Sequence, residues 1–200
     1  MRALIILAAL SLVSISASAQ DRPSFVEGFG GVHMTSAPGV AGSLGGTFGV
    51  SLTPGVQAIG EVGRHSDVMP ATLASLIALT PVDFRISALY GEGGVRFVTN
   101  PRGHLSGYGE ALAGMTRLNA SYGGISNARL DTILDIALRF VNTTEPIAGV
   151  GGGVIIQGGP LVATVGYRFN RIFADESVMR LISGGRFDVN EVRVGLGVRF

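Results

Sequence analysis

The sequence predicts an all-β fold, an eight-stranded antiparallel transmembrane up-and-down β-barrel, and three observations carry that expectation. From Glu191 to Phe200, apolar residues alternate with charged or small ones, so Val192, Val194, Leu196, Val198 and Phe200 share one strand face. Glu191, Arg193, Gly195, Gly197 and Arg199 share the other, and a strand between lipid and a polar lumen needs that division. Second, the mean hydropathy is high at +0.44, yet past the N-terminal segment no apolar run reaches the roughly 18 residues that a spanning helix requires. A closed sheet is the other architecture that satisfies every backbone hydrogen bond in lipid. Third, the period-two segments are joined by connections that alternate long and short, as in an up-and-down barrel.

The N-terminus reads as a secretory signal peptide over residues 1–19. Met1 and Arg2 precede the apolar stretch Ala3 to Val13, and the segment ends in the small residues Ala17, Ser18 and Ala19. Cleavage after Ala19 is expected, leaving residues 20–200 as one barrel domain. The absence of cysteine argues against a lipid anchor and against a disulfide-stapled domain. Without Arg2 the remaining basic residues, all arginine, match the 14 acidic ones, so nucleic acid is not expected as a partner. The 31 glycines suit close packing around a narrow cylinder.

Alternation bounded by turn residues places the strands in order. The first is Phe25 to Met34. The second is Ser43 to Leu52, ending in the turn Thr53, Pro54 and Gly55. The third runs from Val56 to about His65 and the fourth from Arg85 to Val98, where Asn100, Pro101, Arg102 and Gly103 turn the chain. The fifth spans Leu105 to about Arg117 and the sixth Ile147 to Ile156, followed by Gly158, Gly159 and Pro160. Leu161 to Arg171 and Arg186 to Phe200 complete the set. The long connections are roughly 35–42, 66–84, 118–146 and 172–185. Within the third of them, Leu130, Ile133, Leu134, Ala137, Leu138 and Val141 recur at helical spacing, which predicts a short amphipathic helix capping the barrel mouth, or else docking on the membrane surface. Ala71 to Leu79 predicts a second, weaker helical turn.

The signal segment, the eight alternating strands and the ending Val198, Arg199, Phe200 resemble the small outer-membrane β-barrels typified by OmpA and OmpX. The resemblance covers the whole expected mature chain and implies residence in a bacterial outer membrane. It also implies that Val194, Leu196, Val198 and Phe200 form the signal read by the outer-membrane assembly machinery, with periplasmic chaperones as further partners during biogenesis. The chain departs from full-length OmpA-type proteins in carrying no peptidoglycan-binding domain after the barrel, so a tethering role is not expected.

With the apolar face toward lipid, Glu61, Glu92, Arg96, Glu110, Arg168, Glu191 and Arg193 fall on the lumen face. An eight-stranded lumen is filled by side chains, and charges buried there must pair, which favours a plugged barrel over a narrow ion path. Glu27 joins the set only if Phe25 and Phe29 also point inward. Arg64, Arg85, Arg117, Arg171 and Arg186 break the parity rule but sit at expected external strand ends, where a cation costs roughly 0 to 1 kcal/mol instead of about 2 to 4 at mid-bilayer. They predict a belt on lipopolysaccharide phosphates, against the simpler reading of loop-edge arginines. Phe97 and Phe200 on one edge, and Tyr167 and Phe169 on the other, predict thin interfacial girdles.

The candidate chemistry is sparse. His104, Leu105, Ser106 resembles the H-x-S element of outer-membrane lipid A deacylases, but the residues follow a short turn, and Gly107 stands where that family carries asparagine. His65, Ser66 and Asp67 are consecutive, so neighbours in a strand point to opposite faces. A metal held by His33 and His65 needs a third ligand such as Asp67, at no known spacing. Gly149, Gly151, Gly152 and Gly153 lack the lysine and helix start of a phosphate loop. The expectation is a monomeric, non-enzymatic barrel without cofactor or metal, in contact with outer-membrane lipids and lipopolysaccharide, whose external loops serve a structural or surface-interaction role. A small ion-conducting channel or a lipid A-modifying enzyme are the alternatives.

Overall fold

The computed structural model describes residues 24–35, 40–68, 83–123, 143–173 and 187–200. Eight strands run up and down: β1 (Ser24–Met34), β2 (Ala41–Thr53), β3 (Val56–His65), β4 (Asp83–Val98), β5 (Leu105–Gly123), β6 (Thr144–Gly158), β7 (Leu161–Ile172) and β8 (Phe187–Arg199). Each is antiparallel to its sequence neighbour, and β1 pairs with β8 to close the barrel. The seam is completed at the chain's last residue. Ser24 N–H donates to the Phe200 carbonyl at 2.8 Å and Phe200 N–H to the Ser24 carbonyl at 2.9 Å.

Short turns close one end. Gly55 (φ 88°) and Gly159 (φ 61°) adopt left-handed backbone there, a conformation that costs glycine little. The Gly55 carbonyl accepts from Val98 N–H at 2.8 Å and the Pro160 carbonyl from Arg199 N–H at 2.7 Å, so each turn is tied to a neighbouring strand. At the other end the strands outrun their expected limits. β5 continues past Arg117 to Gly123 and β6 begins at Thr144, because the ladders carry on: Asp83 pairs with Gly123, and Arg117 with Thr144. The sequence hid this extension, since polar Asn119 and Ser121 and the ring of Pro146 erase the apolar alternation in this stretch. The helical segments expected at 71–79 and 128–141, and the signal segment, lie outside the described residues.

The two faces have opposite chemistry. Leu44 (72% exposed), Leu196 (70%), Val62 (64%) and Leu161 (63%) stand on the outside, while Arg168 and Glu191 are fully enclosed (0%). An apolar exterior around a charged interior is inverted relative to a water-soluble protein and matches a barrel whose outer solvent is lipid. The facing of β1 is settled by burial: Phe25, Glu27 and Phe29 point inward and Val26 and Val32 outward.

Candidate functional site

The lumen holds a continuous ion-pair network. Arg96 of β4 meets Glu110 of β5 through Nε (2.9 Å) and Nη2 (2.8 Å), and Arg193 of β8 reaches the other oxygen of Glu110 at 2.6 Å. Arg193 Nη1 spans both oxygens of Glu61 at 2.9 Å each. Arg168 of β7 binds the same Glu61 at 2.5 Å and Glu92 at 2.6 Å. Three guanidiniums thus alternate with three carboxylates in the order Arg96, Glu110, Arg193, Glu61, Arg168, Glu92, and every one of these side chains is buried. Planar forks that bond two acceptors at once link the six side chains into one chain.

Neutral groups complete the shell. Tyr90 and Thr47 each donate a hydroxyl to Glu61 at 3.0 Å, and Arg168 Nε donates to Asn170 at 2.9 Å. Glu27 accepts from Thr164 at 2.9 Å and Glu191 from Ser43 at 2.5 Å. Aromatic faces pad the cations: Arg96 lies 5.1 Å from the Phe25 ring and 4.7 Å from that of Tyr108, and Arg193 lies 4.9 Å from Phe29. Glycines make the room. Phe25 lies where a side chain on Gly49 would stand, Phe29 over Gly45 and Tyr90 over Gly63.

The structure therefore brings six of the seven expected lumen charges into one ion-pair chain. Glu191 faces the same lumen but bonds Ser43 instead of an arginine. Tyr90, Thr164 and Asn170 join this shell with lumen parity in their strands, and a search for charges alone passes over them. On the long-connection side, His33 and His65 turn inward as well, with ring centroids 4.9 Å apart, and His65 stacks on Tyr90 at 4.8 Å. Beside them, Val68, Ile86, Leu118, Ile147 and Ile172 form an apolar cluster with Phe29 and Tyr90. Among the described residues no three histidine, aspartate or glutamate side chains gather as a metal-holding group.

The rim arginines are dispersed. Arg64 and Arg117 are exposed on the outer face, with Leu89 of β4 between them in register. Arg117 lies inside β5, not at its end, because the ladder runs on beyond it. Arg171 is committed to Asp188, with bonds of 2.7 and 3.0 Å, and covers the Phe169 ring at 5.4 Å. The Arg85 side chain and Arg186 lie outside the described residues. Val194, Leu196, Val198 and Phe200 all face outward. The histidine and serine candidates bond backbone: His104 Nδ1 lies 3.1 Å from the Gln157 carbonyl oxygen, Ser106 donates to the Asn100 carbonyl at 2.5 Å, and Ser66 to the Gly42 carbonyl at 2.6 Å.

No protein-family model matches the chain, and no curated protein matches it. Solved structures share the fold. A major outer membrane protein from Thermus thermophilus is similar with a TM-score of 0.60 at 11% identity, over 89% of this chain and 99% of that one. Neisserial surface protein A gives 0.57 at 14% identity, over 90% and 97% of the two chains. The N-terminal β-barrel domain of Pseudomonas aeruginosa OprF gives 0.51 at 13% identity, over 89% and 97%. The chain has the fold of these small eight-stranded outer-membrane barrels.

Proposed function

We propose that this chain is an integral outer-membrane barrel with a structural or surface-interaction role, its lumen a closed plug and its long connections the parts that meet the environment. The observation that carries the reading is the alternating chain of three arginines and three glutamates across the lumen, inside a wall whose exterior is apolar. Each link is buried and made at 2.5 to 2.9 Å, which supports a lumen filled by paired side chains. A rigid cylinder whose charge network is turned inward leaves contact with the environment to its loops.

On this reading the short turns face the periplasm and the long connections the outside. The chain is exported by a signal cleaved after Ala19 and handed by periplasmic chaperones to the assembly machinery, which reads Val194, Leu196, Val198 and Phe200. In the membrane it is a monomer, with Arg64 and Arg117 on lipopolysaccharide phosphates, joined by Arg85, Arg171 and Arg186. Planar-bilayer recording tests the plug. No unitary conductance is expected from the refolded protein, and steady ohmic steps would establish a channel instead. Lipid A mass analysis after expression tests the enzymatic alternative, with an unchanged lipid A profile expected.

A further inference from the structure

The turn end of the barrel opens into a cavity of about 760 Å³ that the plug does not fill. Its charge is one-sided. Among the described residues, Arg96, Arg102 and Arg199 line it, and no aspartate or glutamate does. Arg96 is neutralised by Glu110 behind it, so the unmet positive charge belongs to the other two. Arg199 donates to the neutral amide oxygen of Gln157, and Arg102 projects exposed from the β4–β5 turn; neither has an ion pair among the described residues. Phe25, Val98, Ile155 and Val162 line the same cavity, so apolar side chains and guanidiniums meet in one space.

From this juxtaposition we propose that the turn-end vestibule is a binding site for a small amphiphilic anion, a phosphate monoester or carboxylate on an apolar body. The rim guanidiniums hold the oxyanion with paired hydrogen bonds, and the apolar body occupies the pocket. The volume falls within the range of about 300 to 1,000 Å³ usual for small-molecule sites. The source is aqueous, not lipid. Every strand pairs with both neighbours, β1 with β8 included, and the register shift at Ser51/Thr53 leaves β2 and β3 paired on either side of it, so entry is through the mouth. The site is independent of the plug's role and of the barrel's orientation in the membrane.

The test is calorimetric titration of the full refolded chain in lipid nanodiscs, where both mouths are open to water. Phenyl phosphate is the probe and benzyl alcohol its neutral analogue. Phenyl phosphate is expected to bind and benzyl alcohol to bind at least about tenfold more weakly, and the double variant Arg102→Gln, Arg199→Gln is expected to weaken phenyl phosphate by a similar factor. Val162→Trp keeps both cations but fills the pocket, and loss of binding in it supports the cavity over a bare rim contact. Folding of each variant is read from heat-dependent gel mobility. Should the double variant fail to fold, Arg102→Gln alone, at an exposed turn position, carries the test. No binding by the parent chain, equal binding of the neutral analogue, or unaltered binding in the arginine or Val162 variants would each overturn the proposal.

Discussion

Glu61 is the hub of the lumen, and Glu61→Gln measures what the network contributes. The carboxylate accepts from Arg168 at 2.5 Å, from Arg193 at 2.9 Å and from the Tyr90 and Thr47 hydroxyls at 3.0 Å each. Glutamine keeps the volume and an acceptor for the hydroxyls but removes the negative charge, leaving Arg96, Arg168 and Arg193 to share Glu92 and Glu110. Stripping one partner from a buried pair costs about 3 to 5 kcal/mol, because a charge is left uncompensated. Both affected arginines retain a second carboxylate, so the lower end applies, about 3 kcal/mol, a large fraction of the roughly 5 to 15 kcal/mol that holds a typical fold. Urea unfolding in lipid vesicles reads the difference. The double variant Glu61→Gln, Arg193→Gln restores the balance, so its loss is expected to fall short of the sum of the singles by about 1 kcal/mol or more. A single-variant loss under about 1 kcal/mol, or additive losses, would refute the hub.

Other expectations follow from the two faces. Val194→Arg puts a cation on the lipid side of β8 and should reduce stability by about 2 to 4 kcal/mol and impair insertion, read by heat-dependent gel mobility; normal assembly would overturn the facing. Gly195→Ala places a methyl against the Glu27 carboxylate and the Thr164 hydroxyl, and should cost about 1 to 3 kcal/mol in the same unfolding assay. Gly28→Ala, where the added carbon meets nothing within 4 Å, should be neutral or gain up to about 1 kcal/mol, and equal losses at both positions would sink the packing argument. Replacing Arg64, Arg85, Arg117, Arg171 and Arg186 with glutamine should weaken lipopolysaccharide association, measured by co-purification, and unchanged association and thermal stability would remove the belt.

The residues that line the lumen were legible because lipid cannot host a charge: parity alone put Glu61, Glu92, Arg96, Glu110, Arg168, Glu191 and Arg193 inside. The partners were not legible. Arg168 and Glu191 face each other in register on β7 and β8, and the pairing suggested by that ladder is an ion pair between them. Arg168 instead crosses the lumen to Glu61 on β3 and Glu92 on β4, while Glu191 takes Ser43. Strand pairing sets the height of a side chain, but long guanidinium stems choose their partner across the hollow, and no sequence separation encodes that choice. The first strand was ambiguous for a related reason. Phe25 and Phe29 are as apolar as Val26 and Val32, so hydropathy assigns both faces to lipid. Space decides: the rings find their room over Gly49 and Gly45, on a different strand.

The same geometry explains why the lumen tolerates more acid than base. Glu27 and Glu191 face inward beyond the alternating chain, yet each is served by a hydroxyl from a strand it does not pair with, Thr164 of β7 and Ser43 of β2. A hydroxyl can donate to a carboxylate or accept from a protonated one, so these two acids do not each require a guanidinium as Glu61 does. Adding a fourth arginine beside Glu27, as in Thr164→Arg, would supply charge but displace that donor in a lumen where glycine already marks the limit of space at position 195. Cation number here is limited by volume, which is why polar hydroxyls, invisible to a search for charge pairs, finish the plug.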